Sequence, residues 1–345
     1  MSTTMTRPAP RTRARMRTRR DALIWAALIL LGATLAVLYV LAGREPLPLD
    51  EVAAVLRGET VPGTSFILLE DRAPRLVVGA LAGAGFGASG ALFQRWLGNP
   101  LASPDVIGVG YGASAAAIIA MVYFHAQGPL LTLTAMLGGL GIAGLIYWLS
   151  AGGKHAGAKL ILAGLAIGGM LQSLIQYLLT RTDVRTAGEA LRWLTGSLAP
   201  STWERAAVMA IGLALVALLV PLVLKRLKIM ELGDDAASAL GLNVLASRML
   251  LVFTAVTLTA IPVAVTGPLA FVAFLAGPLS AGLTRGVIRV PLAALIGAVL
   301  VLGANFIAAN LFSGVALPVG VVTGIFGAPF LLWVLVRANS RGNGG

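Results

Sequence analysis

Charged side chains divide this sequence into long apolar stretches. Uncharged runs cover residues 22–43, 76–94, 160–180 and 206–224. Each is the length of one membrane-crossing helix, since about 20 residues span the hydrocarbon core. Three longer runs, 106–153, 249–284 and 290–336, each have room for two. Their midpoints carry turn chemistry: Ala-Gln-Gly-Pro at 126–129, Thr-Gly-Pro at 266–268 and Ser-Gly-Val-Ala-Leu-Pro at 313–318. Four single spans and three pairs predict ten helices. Pro262, Pro268 and Pro278 crowd the 249–284 pair, so shortened or kinked helices are expected there.

Composition agrees with that pattern. Of 345 residues 58% are hydrophobic and 12% charged, and the mean hydropathy of +0.89 lies far above that of soluble chains. The short alternating segments of an outer-membrane barrel are absent. The fold class is therefore an all-α polytopic membrane protein. With no Cys there are no disulfides and no thiolate metal sites. A net charge of +12 suggests nucleic acid until its location is considered. With the amino terminus inside, cytoplasmic segments hold 18 Lys/Arg and 5 Asp/Glu, while external segments hold 8 and 9. That asymmetry places both termini in the cytoplasm and assigns the charge to topology, with no nucleic-acid partner. The basic stretch 1–20 is then a cytoplasmic tail, 21–337 the ten-helix domain and 338–345 a second tail. The run Arg11–Arg20 anchors helix 1 and also suits contact with anionic membrane lipid. Helix 1 follows a twin arginine but lacks a small-residue cleavage site, so it is expected to be retained.

Catalytic constellations are missing. His125 and His155 have no carboxylate or second His at ligand spacing. Gly85, Gly87 and Gly90 match a dinucleotide fingerprint formally, yet they lie inside an apolar span. Gly79, Gly83 and Gly87, four residues apart, serve close helix packing instead. No Gly-rich loop ending in Lys-Ser or Lys-Thr exists, so the chain does not bind ATP by that route and is not an enzyme. The predicted spans are also nearly free of ionisable groups, which weighs against an ion-coupled secondary carrier, the alternative of a different class.

The polar exceptions are the candidates. The segment 229–245 places Glu231, Gly233, Asp234 and Asp235 before a small-residue helix of Ala236, Ala237 and Leu240 that Gly241 should end. Asp234 is the expected N-cap. So short a helix must dock against something, either its own bundle or a groove on a partner. Between spans two and three, Asn99, Pro100, Ser103, Pro104 and Asp105 break the chain. They contribute to a cytoplasmic gate, or Ser103 or Asp105 simply caps helix 3. Gln94, Gln172, Gln176 and Asn310 either face a translocation path or bond between helices.

Residues 71–114, 191–203, 231–244, 267–274 and 317–330 together resemble the iron-siderophore and cobalamin importer permeases of ABC transporters. Order and spacing agree over roughly residues 20–337. Met-Glu-Leu-Gly-Asp-Asp (230–235) beside Asn-Pro-Leu-Ala-Ser-Pro-Asp-Val-Ile-Gly (99–108) is most similar to permeases of ferric catecholate (enterobactin-type) systems. The resemblance implies a type II importer permease that pairs with itself or with a homologous permease subunit. It also implies a separate ATPase below, carrying ATP and Mg so that this chain holds no cofactor, and an extracytoplasmic solute-binding protein above. The implied cargo is a ferric siderophore, with haem or cobalamin as the alternative. On this view Asp234 to Gly241 is the ATPase-coupling segment, and Arg57 and Arg72, near the first external loop with Arg75, are the residues for binding-protein docking. Departures are Gly277 and Pro278 where the family has Pro-His, Ala281 for Arg, Asn305 for Asp and Ala316 for Glu.

Overall fold

The computed structural model describes residues 10–42, 45–104, 108–150, 156–311 and 317–342. Every regular element among them is helical. The long α1 (Pro10–Leu41) is followed by α2 (Leu49–Leu56) and α3 (Thr64–Phe66), which runs through a π-helical stretch (Ile67–Arg72) into α4 (Ala73–Leu97). Then come α5 (Val109–Phe124), α6 (Gly128–Ser150), α7 (Ala156–Arg181), α8 (Val184–Leu194), α9 (Trp203–Ala217) and α10 (Val220–Met230). The short α11 (Asp234–Ala239) leads into α12 (Val244–Thr266), α13 (Val272–Leu283), α14 (Val290–Asn310) and α15 (Val319–Gly342). Regular helix thus begins at Pro10, inside the predicted basic tail.

Six helices are long and apolar enough to cross a membrane: α1 from Arg19, α3 to α4 as one 34-residue run, α6, α7 from Lys159, α12 and α14. Together α9 and α10 make a seventh, bent by 41°, and α5, α13 and Val319–Leu332 are shorter apolar helices. The turn signals at 126–129 and 266–268 fall at the α5–α6 and α12–α13 breaks. The third falls between α14 and α15, with 312–316 outside the described residues. Two expectations change. The 206–224 run is two helices rather than one, because Pro221 enters at the first turn of α10, where a missing N–H is tolerated. In the 249–284 pair only α13, at 12 residues, is short, while α12 keeps 23 residues with Pro262 inside it.

Helix α4 is the axis of the packing. Its glycines let neighbours approach to backbone distance: a Cβ on Gly83 would lie 2.2 Å from the Gly297 carbonyl oxygen of α14, and one on Gly90 would lie 1.8 Å from that of Ala273 in α13. Toward α12 the contact is polar. The buried Ser89 hydroxyl donates to the Ala255 carbonyl (2.5 Å) and accepts from Thr259 Oγ1 (2.7 Å). Small residues thus replace apolar bulk where the lipid phase offers no hydrophobic drive for helix association.

Polar ties group the helix ends. Arg95 with Glu231 (2.6 Å), Asp21 with Arg289 (2.7 Å) and Arg248 with Asp234 gather the ends of α4 and α10 with the starts of α12 and α14 and the Asp21 region of α1. At the other end Trp203 Nε1 donates to the Leu69 carbonyl (2.7 Å) and the Ser197 amide to that of Thr266 (2.8 Å). The α9–α10 pair therefore runs in the direction of α4, and α12 runs against both.

Candidate functional site

At the first end, α11 stands out from the bundle. Gly233 (φ 97°) turns the chain out of α10 and is the N-cap, so Asp234 occupies the first helical position rather than the cap. Gly241 (φ 79°) closes it as expected. Its amide bonds the Ser238 carbonyl and that of Leu242 bonds Ala237, the two bonds of a Schellman ending. Asn243 Oδ1 then accepts from the Ala246 amide (2.9 Å) and starts α12. Two ion pairs brace the segment. Arg248 Nη2 donates to both Asp234 oxygens (2.7 and 2.5 Å), and Arg95 donates twice to Glu231 Oε1 (3.1 and 2.6 Å). Ala237 is fully buried, whereas Gly233, Asp234, Asp235, Ala236, Leu240 and Gly241 are exposed. Asp235 has no ion-pair partner among the described residues, and Leu232 and Leu240, 64% and 65% exposed, flank it. The result is a rigidly held projection with acid and apolar groups outward. Arg95 and Arg248, which brace it, lay beyond the reach of pattern, because their partners are 136 and 14 residues away.

The break after α4 is ordered through Asn99, whose Oδ1 accepts from the Leu101 amide (2.9 Å) beneath the left-handed Gly98. Pro100 is exposed, Ser103 and Pro104 are buried, and Asp105 lies outside the described residues. The N-cap of α5 is Gly108, so Ser103 does not cap it. Of the polar residues assigned to a path, Gln172 and Gln176 are exposed on α7 beside Ser173. Asn310 is exposed but bonds its own helix, Nδ2 to the Phe306 carbonyl at 2.8 Å. Gln94 is different. It is 1% exposed, its Nε2 donates to the Phe274 carbonyl (3.0 Å), and it is an interhelical residue of α4 and α13 rather than a lining one. A Cβ on Gly277 would lie 1.6 Å from Gln94 Oε1, so the glycine there leaves room for the amide.

At the opposite end three separated sequence segments converge. Gly196 accepts from the Gly320 amide (3.1 Å), and a Cβ on Gly320 would lie 1.8 Å from the Thr195 carbonyl oxygen. With Ser197 bonded to Thr266, this joins 191–203, 266–268 and 317–320, a junction that no spacing foretold. The α8 helix beside it is capped by Asp183, whose bond from the Thr186 amide holds its carboxyl below the usual range. Under this junction lies a cavity of about 550 Å³ walled by Asp71, Arg72, Arg75, Arg192 and Asn305. Arg72 is buried, with its outer nitrogens on the carbonyls of Val40 and Glu45, and so is not presented to a docking partner. Arg75 pairs with Asp71 (2.5 Å), and the buried Asn305 Nδ2 has no partner among the described residues. Arg57 is exposed and paired with Glu59 at 3.1 Å.

A bundle of apolar helices with kinks, a braced projection at one end and a polar cavity at the other defines a polytopic membrane transport protein. Residues 28–337 match the FecCD transport family. The chain is 36% identical to the ferric enterobactin transport system permease protein of Escherichia coli (strain K12), covering 93% of this chain and 98% of that one. It is 34% identical to the Fe(3+)-citrate import system permease protein of Bacillus subtilis (strain 168), covering 90% and 94%. Its backbone is similar to an inward-facing metal-chelate type ABC transporter, with a TM-score of 0.80 at 28% identity over 92% of this chain and 99% of that one. The chain belongs to the FecCD transport family and is a membrane permease of the ABC importer kind.

Proposed function

We propose that this permease carries a ferric siderophore inward across the bacterial cytoplasmic membrane. Its ten helical crossings are the six long helices, the bent α9–α10 pair, and α5, α13 and α15. Both termini and α11 face the cytoplasm. The observation that carries the reading is α11 itself: small, acid-bearing, exposed on every side but one, and clamped to the bundle by Arg95 and Arg248. A projection braced in this way transmits a push to α10 and α12 instead of absorbing it. A separate ATPase, which holds the ATP and magnesium, delivers that push. At the outer end Arg57, with Arg75 and Arg192 beside the cavity, offers cations to acidic groups of a solute-binding protein. A second permease chain, identical or homologous, completes the path opposite the exposed face of α7, where Gln172 and Gln176 lie.

The test is uptake of radioiron as catecholate, hydroxamate and citrate chelates in cells with and without this chain, together with haem and cobalamin uptake. Loss of one ferric siderophore, with abolition on ATP depletion, is the expected result. Loss of haem or cobalamin import alone overturns the cargo, and dependence on an ion gradient without ATP overturns the class. Asp235→Arg with Leu240→Asp should remove ATPase association and reduce transport-coupled hydrolysis at least tenfold, while folding is unchanged because both side chains point outward. Hydrolysis coupled as in the native transporter rejects α11 as the contact.

A further inference from the structure

We infer that the pocket at the foot of α1 binds the phosphate of an anionic phospholipid. This pocket, about 210 Å³, lies between the beginning of the apolar part of α1 and the α13–α14 turn, and it is lined by Arg20, Asp21, Thr284, Arg285 and Arg289. Arg289 is paired with Asp21 (2.7 Å), and Arg20 Nη2 donates to the Leu283 carbonyl (3.1 Å). Arg285 has no ion-pair partner among the described residues and is exposed. Three guanidinium groups against one carboxylate leave an excess of cation around a cavity of headgroup size.

Two further observations choose the occupant. Arg285 has φ 60°, the left-handed position after a helix that glycine ordinarily takes, and the turn is closed by the Gly286 amide on Ala281 (2.7 Å). An arginine thus holds a position where glycine is easier, and it lines the pocket. Directly along α1, Leu23, Ile29 and Leu30 are 70%, 56% and 68% exposed, and only 6% of its membrane-length stretch is buried. Apolar surface of this kind accommodates acyl chains, with the basic pocket at its end for the head. Inorganic phosphate shares the chemistry of the head but gains nothing from α1, and a choline headgroup brings its own cation against the arginines. The assignment rests on α1 being a membrane span.

The experiment is thermal unfolding of the purified full-length permease in detergent with added phosphatidylglycerol, phosphatidylcholine or inorganic phosphate. Phosphatidylglycerol should raise the melting temperature and the other two should not. Arg285→Gly relieves the left-handed strain, so without lipid it should melt no lower than the native chain. Its half-saturating phosphatidylglycerol concentration should nevertheless rise about fivefold, the order expected for one guanidinium near an anionic headgroup. An equal response to phosphatidylcholine, a response to inorganic phosphate, or an unchanged dose curve for Arg285→Gly overturns the assignment. Quenching of a fluorophore on Leu30→Cys by bromine-labelled acyl chains reports the span separately. Failure of the span and failure of the pocket are thereby told apart.

Discussion

Gln94 and Gly277 belong to different helices and share one space. The amide of Gln94 is pinned by the Phe274 carbonyl at 3.0 Å, and any β-carbon at 277 would collide with its oxygen. Where similar permeases are expected to carry Pro-His, this chain has Gly277-Pro278, and the buried glutamine explains the glycine. Gly277→Ala should therefore destabilise the protein by about 1–3 kcal/mol through overpacking. Gln94→Ala should relieve much of that clash, so a double-mutant cycle in detergent melts should show coupling of about 0.5–3 kcal/mol. Additive effects would mean that the two do not share the space. No pattern along the sequence announces this pair, because 183 positions separate its members and a glycine has no side chain to signal a partner.

The acids of α11 separate into two roles at the level of the element. Asp234 is tied to Arg248, whose buried Nε has no partner among the described residues, and Asp235 has no ion-pair partner among them. Asp234→Ala strands Arg248 and should lower stability by about 1 kcal/mol, since the pair is partly exposed. A melting-temperature shift in detergent checks it, and Arg248→Met with Asp234→Ala should recover most of the loss. The sequence made α11 legible as a short acid-led helix ended by Gly241, because those features are local. It misplaced the cap by one residue: Gly233 reaches φ 97°, a conformation open to it and strained for the aspartate that follows. Likewise Pro221 predicted a boundary only in hindsight, since proline at the first turn of α10 and a straight span through 206–224 are equally compatible with an uncharged run.

For the whole molecule, charge and orientation can be tested together because the chain contains no Cys. Single substitutions Ser238→Cys and Glu59→Cys should be labelled by impermeant reagents from the cytoplasmic and outer sides respectively, and the reverse pattern inverts the topology. On the proposed orientation and partner, Arg57→Glu should slow association of the solute-binding protein by roughly tenfold at low salt, with the difference fading as salt rises. An unchanged association rate removes Arg57 from the interface. Arg72, assigned the same role from its place in the sequence, is instead built into the fold by the carbonyls of Val40 and Glu45.

Sequence by itself determined the class and the positions of most breaks, because the cost of charge in hydrocarbon and the geometry of Gly and Pro act locally. It also marked α11 and the Asn99 turn, whose chemistry lies within a few residues. Tertiary structure alone decided which polar residues face outward. Gln94 and Arg72 are turned into the protein by carbonyls of other segments, while Gln172 and Gln176 stay exposed. The ion pairs bracing α11, the junction of Gly196 with Gly320 and the basic pocket beneath α1 have the same origin. Their partners lie between 14 and 268 residues apart, and only tertiary packing brings them together.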